Sequence, residues 1–560
     1  MISRSPVRRA LHVWIRRRYA LLVIAIVGGG AAGLAGRHLD MDRSLENMFS
    51  ADDPVLGPYR QLQRTFGRHD IVMLVYADPA LSTSAGLDRL RTTAEQVRGV
   101  PGVAAVVTLI DLPGATEFAE EGRGARFRDV FSGYTHNDDL DSVGILCLIE
   151  RRETTDSARR QSFAELRAIA EKLPGAVVGE PVLVEEAFDL LEADGRRLNT
   201  WCTALVLVTI WACFGGLRWL LLPLAVVQLT LAATRGVLAL SGIQLSMVSS
   251  MLAAIVTVIG VATVVHIIVR YLDARRRRLG RRAALEQTFA QLAAPVAFAC
   301  LTDAAGFASL MVSEVGPVQD FGLMMALGSL LVLPSCLLLT PALTLVDGAA
   351  PAAERGGDRA LNRQLVGALQ WSQRHSTALL GCGIVVAAGA AWGAQRLERE
   401  TDFVKNFRRD SPLVQAYSFV ETQFGGAGVW DLMIPAPDSL QQDYLQRVLK
   451  WERRLQRRAP DLAKAISLAD ALDAGAGGFD QMPVGGAAAD VAVRAGLGVV
   501  RAKMTEFIEA IYHVDPQDGR RWLRILLRSP EQLPAKEKTE LIAQVQQAAV
   551  EFDPEAKATG

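Results

Sequence analysis

The chain has 560 residues, of which half are hydrophobic and 21% charged, and its 60 basic and 60 acidic side chains leave no formal net charge. That length exceeds a single domain, and the balanced charge gives no electrostatic reason to expect a nucleic-acid partner. Charges crowd into residues 37–198 and 395–560 and apolar residues into the stretch between, so the composition points to a polytopic α-helical membrane protein carrying two water-facing domains.

Arg8, Arg9, Arg16, Arg17 and Arg18 precede the first apolar run, 19–36. This run reads as a retained membrane helix, because the Arg37-His-Leu-Asp stretch after it lacks a small-residue cleavage site. The positive-inside rule leaves residues 1–18 in the cytoplasm and delivers 37–198 outside, which in a two-membrane bacterium is the periplasm beyond the inner membrane. That segment alternates a strand at Ile71–Tyr76, a helix at Ser84–Arg98, strands at Val103–Ile110 and Val143–Ile149, a helix at Ser157–Lys172 and a short strand at Ala176–Gly179. Such alternation predicts an α+β domain of the split, ferredoxin-like kind.

A helical pattern from Val182 leads into a membrane block at 199–346, read as five spans. The first begins at Trp201, and the others lie near Trp219–Leu240, Met247–Val269, Gln291–Val312 and Val318–Leu345. Each approaches the roughly 20 residues that cross a hydrocarbon layer about 30 Å thick. The loops at 241–246 and 313–320 carry no Lys or Arg and face outward, whereas Arg275–Arg278 with Arg281 and Arg282 fall in an inward connection. The segment Arg270–Gln287 has the composition either of an amphipathic helix along the inner leaflet or of a simple orienting charge cluster. Residues 347–375 read as a cytoplasmic linker, 376–394 as a seventh membrane helix and 395–560 as a second periplasmic α+β domain.

The second soluble segment begins as the first does, about 358 residues later. Asp42-Arg-Ser-Leu-Glu-Asn-Met-Phe49, Pro54 and Phe66-Gly67 are echoed by Asp402-Phe-Val-Lys-Asn-Phe407, Pro412 and Phe424-Gly425, and Trp14 with Ala20-Leu-Leu22 by Trp371 with Ala378-Leu-Leu380. The repeat predicts a further helical block beyond residue 560, so the expectation is a C-terminally truncated second copy, with a homo-oligomer or another polypeptide supplying the remaining helices.

One helix, a large external domain, a five-helix block and the start of the same again resemble the resistance-nodulation-division (RND) superfamily. Gly236 to Gly242, Ile259-Gly-Val261 with His266 and Arg270-Tyr271, and Leu301-Thr302 with Gly306-Phe-Ala-Ser-Leu310, Pro317 and Phe321-Gly322 resemble its MmpL-like and hopanoid-transporter-like branch, which shares the sterol-sensing-type helical block of Patched-like proteins. The resemblance implies proton-driven export of lipids or other hydrophobic molecules, usually by an oligomer. It also implies an acid just after the Gly-Val of the fourth span, where this chain has Ala262 and Thr263, neither of which titrates usefully.

Ionisable groups inside an apolar span are functional candidates by default, and Asp303 is the one to explain here. At 1.5 Å per residue it sits roughly 18 Å from Gln291, and Ala262 roughly 12 Å from Arg270, so both fall mid-layer. Asp303 is therefore the candidate coupling acid, with Thr263 and His266 as further candidates for a proton relay. The competing reading has Asp303 tie helices together through Thr302, Thr263 or Thr257. Arg235 is read as snorkelling to the interface. Gly260, Gly306, Gly322 and Gly328 are read as close-contact positions. Five of the six cysteines lie in apolar runs. No metal-ligand spacing, phosphate loop or nucleophile elbow occurs, so neither an enzyme nor a cofactor nor a metal is expected.

Overall fold

The computed structural model describes residues 6–39, 56–67, 69–150, 156–245, 247–345, 356–397, 404–476, 478–479 and 487–559. The Asp42–Phe49 motif, Pro54 and Asp402 lie outside them. In chain order the elements are α1 (Pro6–Arg16), α2 (Arg18–Ala35), α3 (Leu56–Phe66), β1 (His69–Ala77), α4 (Ser84–Arg98), β2 (Val103–Val107), α5 (Arg123–Phe131), β3 (Ser142–Glu150), α6 (Asp156–Glu171), β4 (Ala176–Val178) and α7 (Glu180–Phe214). There follow α8 (Leu217–Leu240), α9 (Leu252–Arg276), α10 (Arg281–Ala308), α11 (Gly316–Thr344), α12 (Gly356–Arg374), α13 (Ser376–Ala394) and α14 (Pro412–Gln423). The chain closes with β5 (Gly428–Ala436), α15 (Gln442–Arg458), β6 (Lys464–Ile466), α16 (Leu468–Ala476), α17 (Ala487–Ile511), β7 (Tyr512–Val514), β8 (Arg521–Ser529), α18 (Ala535–Phe552) and β9 (Lys557–Thr559).

These elements form two compact units, one of residues 1–51 and 187–397 and the other of 52–186 and 398–560. In the first, seven helices among the described residues are long and apolar enough to cross a membrane: α2, α7, α8, α9 with the short 3-10 turn before it, α10 with the turn after it, α11 and α13. About half of each of α8, α9 and α11 is buried, so these three make the centre, with α2 and α10 against them. Among the described residues α13 buries none of its span.

Glycine sets several helix contacts. A Cβ on Gly236 of α8 would lie 2.6 Å from the Cβ of Ala32 on α2, one on Gly328 would lie 2.9 Å from Val256, and one on Gly322 2.7 Å from the carbonyl of Phe307. Gly260 approaches Val227, but Gly306 has nothing within 4 Å, so three of the four expected glycines serve close packing and Gly306 does not. Gly236→Leu forces α2 and α8 apart. It is expected to lower the thermal midpoint of the detergent-solubilised protein by several degrees, on the about 1–3 kcal/mol scale of overpacking, whereas Gly306→Ala leaves it unchanged.

The polybasic segment Arg270–Gln287 is not a separate surface helix. Its first residues continue α9 and its last open α10, with a tight turn between in which Arg278 takes a left-handed φ of 63°. Tyr271 and Ala274 on one side and Ala284, Leu285 and Phe289 on the other pack into one cluster, and this burial holds the two helices together as a hairpin. Part of the expected linker, Gly356–Arg374, is likewise helical.

In the second unit each soluble segment contributes one antiparallel sheet, in the order β2-β3-β1-β4 and β6-β8-β5-β9, with β7 added on β8. With the added β7 left aside, a helix follows the first and third strands of each (α4 and α6, α15 and α18), and extra helices fall between the second and third. Leu74 opposes Val177 in one sheet and Leu432 opposes Ala558 in the other, so the 358-residue offset seen in sequence holds for β1 and β5 and has grown to 381 residues by β4 and β9. One hydrophobic core spans both segments.

The repeated Phe-Gly pair explains how the two segments interlock. Phe66, at the end of α3, packs with Leu62 against Met433 and Trp522 of the second sheet. Phe424, just after α14, meets the face of the first sheet at Gly144, and Tyr417 of α14 donates its hydroxyl to the carbonyl of Gly179. Each segment thus lends its leading helix to the other's sheet. Polar ties reinforce the exchange: Lys464 Nζ donates to the carbonyls of Asp129 and Ser132 at 2.6 Å each, and the Arg528 guanidinium lies 4.3 Å from the Tyr134 ring.

Inside the second segment Glu452 of α15 is buried near Asp470 of α16, whose carboxylate accepts from the Ser467 N–H at 2.9 Å. Burial first, then the neighbouring Asp470, holds the Glu452 carboxyl well above the usual range. A carboxyl raised in the folded state stabilises the fold when protonated, and that contribution is lost as pH rises past the ordinary value of about 4.3. The unfolding midpoint of the native chain is therefore expected to fall from pH 4.5 towards neutrality, and Glu452→Gln to flatten that fall.

Candidate intramembrane site

The candidate site lies on α9 and α10, the two arms of the hairpin, and one polar contact marks a shared depth on them. Arg270 Nε donates to Gln291 Oε1 at 2.7 Å, so these residues share a level near the basic end of the hairpin. Counting along each helix from that level at 1.5 Å per residue, His266 lies roughly 6 Å, Ala262 roughly 12 Å and Asp303 roughly 18 Å into the apolar layer. Asp303 and His266 are thus about two turns apart in depth, and no hydrogen bond joins Asp303 to His266 or Thr263 among the described residues.

The hydroxyls that could have tied Asp303 to a neighbour are engaged within their own helices. Thr257 donates to the Ala253 carbonyl at 2.6 Å, Thr263 to Ile259 at 2.9 Å, and Thr302 to Phe298 and Ala299 at 2.9 Å each. In an apolar medium a threonine satisfies its hydroxyl most cheaply on the carbonyl one turn back, and these do. The helix-tying reading of Asp303 finds no partner among these three residues.

Asp303 is exposed on the unit surface, one turn along α10 from the buried Cys300 and next to the buried Ala304. On α9, Val258, Ala262, His266 and Val269 form an exposed stripe, with Thr263 half-buried beside it. Of the two residues that follow Ile259-Gly-Val261, Ala262 is therefore on an open face of α9 and Thr263 is half-buried. Arg235 is exposed on α8 and packs its Cβ near Gly36, just after α2, with no ion pair to Asp303 among the described residues. No group of three or more metal-ligating side chains occurs among the described residues.

Sequence reasoning missed the Arg270–Gln291 clamp and the open stripe of α9. The clamp joins residues 21 apart through side chains ordinary for a membrane interface. The stripe is hidden because α9 is apolar on every face, so no periodicity separates packed from open sides.

Residues 144–378, from β3 to the start of α13, match the profile of the MMPL family. The chain is also 19% identical over 374 residues to MJ1562, a membrane protein of Methanocaldococcus jannaschii, a stretch that covers 62% of this chain and 95% of that one.

Proposed function

We propose that this chain is an RND-type transporter that moves lipids or other hydrophobic molecules across a bacterial inner membrane, driven by protons, with residues 1–18 in the cytoplasm and both sheets in the periplasm. The observation that carries the reading is Asp303: an acid about 18 Å into the apolar layer, inside the segment that matches the MMPL family, is the kind of group that loads and unloads a coupling proton. His266 and Thr263, nearer the basic end, would serve the path by which water reaches it. The strand order of the two sheets, with helices after the first and third strands, supports a ferredoxin-like ancestry for each half.

An exposed carboxyl at this depth needs cover from protein or from a water-filled crevice. The open faces of α9 and α10 and the unburied α13 support assembly with a second copy or with a partner that supplies further helices. A second reading, a lipid sensor or scaffold that does not pump, is favoured by Ala262 and Thr263 standing where the resembling family has its acid. Reconstituting the full chain in vesicles with a fluorescent NBD-labelled phospholipid separates the two. The transporter moves the probe between leaflets faster when a pH gradient is imposed, and the sensor binds it with no response to the gradient.

A further inference from the structure

A cleft of about 150 Å³ opens between α10 and α11 on the side of the basic hairpin, lined by apolar atoms of Phe289, Leu292, Val296 and Leu333. Ala293 and Leu337 at its rim are exposed, so it opens outward from the bundle. A dry apolar cavity of that size holds a benzene-sized molecule of about six carbons. The helix α1 closes one end: the Trp14 ring stacks edge-on to Phe289 with centroids 4.5 Å apart, and its indole N–H donates to the Leu337 carbonyl at 3.0 Å. Trp at this position is the amphipathic anchor expected where hydrocarbon meets headgroups.

The charge around the cleft is one-sided. Phe289 lies eight residues after Arg281, about 12 Å along α10, and α9 ends in Arg275 and Arg276, followed by Arg277 and Arg278. Asp273 answers Arg270 and Arg277 at 3.5 and 3.1 Å, and Glu286 answers His12 at 3.2 Å, so among the described residues of this hairpin, 270–287, arginines outnumber acids. An apolar slot that begins one headgroup's depth below an arginine cluster fits one kind of occupant.

We propose that this cleft holds an acyl chain of an anionic phospholipid from the leaflet facing the arginines, with its phosphate on the Arg275–Arg278 turn and its chain past Trp14 into the space beside Leu292 and Val296. Basic pockets between helices take anionic headgroups on charge, and the slot adds a chain contact that diffuse surface attraction lacks. The site stands whether or not the chain transports.

The test uses the full chain in vesicles of phosphatidylcholine with brominated phosphatidylglycerol or brominated phosphatidylcholine at equal bromine content. The quenching of Trp14 is the difference between the native chain and Trp14→Phe. Brominated phosphatidylglycerol is expected to quench it with an apparent association at least about fivefold stronger than brominated phosphatidylcholine, on the scale of one basic side chain's attraction to an anionic surface. The preference should disappear both when Arg275–Arg278 are replaced by Gln and when the slot is filled by Ala293→Phe or, separately, Ala297→Phe. Equal quenching by the two lipids would overturn the proposal, as would a preference that survives both filled-slot variants.

Discussion

Asp303→Asn is expected to abolish the response of phospholipid movement to a pH gradient, lowering the gradient-driven rate by about two orders of magnitude, the scale on which loss of a proton-transferring group acts. The amide keeps the shape and hydrogen-bonding capacity of the carboxyl but cannot bind and release a proton, so the loss separates chemistry from packing. Asp303→Glu should retain a measurable part of the rate. The structure makes the comparison clean, because Asp303 is exposed and makes no hydrogen bond among the described residues, so neither substitution breaks a tie within the unit. Equal rates for the Asn variant and the native chain would remove Asp303 from the relay. His266→Gln, about two turns away in depth, should slow the response without abolishing it.

Asp431→Ala is expected to destabilise the two-sheet unit by about 3 kcal/mol or more, the usual penalty for stranding one member of a buried ion pair. Arg524 on β8 reaches diagonally across to Asp431 on β5 with two parallel bonds of 2.7 Å, and each side chain is only 12% exposed. The pair lies on the sheet face that receives α3, next to Met433 and Trp522. The single variant leaves a guanidinium without its carboxylate, so the urea midpoint should fall sharply. Replacing both residues by Leu should recover most of the loss, because the desolvation penalty disappears with the charges.

The sequence made the strands and helices of the first soluble segment legible because their patterns are local. The expected Ser84–Arg98 helix is observed with those bounds, and the strand expected at Val143–Ile149 is one residue longer at each end. The spans were legible for the same reason. The interlocking of the two segments was not: Phe66-Gly67 and Phe424-Gly425 stand out as a repeat, but their contacts with Met433 and Gly144 are hundreds of residues away and leave no local trace. The helix at Gly356–Arg374 was obscured by its Gly and Arg content, although Leu361, Leu365 and Leu369 recur at helical spacing. Asp303 was conspicuous because a charge interrupts an apolar run, whereas its lack of a hydrogen-bond partner among the described residues depends on which sides of α9 and α10 are packed.

Proton movement itself separates a proton-coupled transporter from a sensor. The full chain is reconstituted in vesicles that trap a pH-sensitive dye, and internal pH is followed when a hydrophobic phospholipid probe is supplied on one side. The account predicts a probe-dependent proton flux that is present in the native chain, absent in Asp303→Asn and partly retained in Asp303→Glu. Probe movement with no accompanying proton flux, or a flux undiminished in Asp303→Asn, would contradict it.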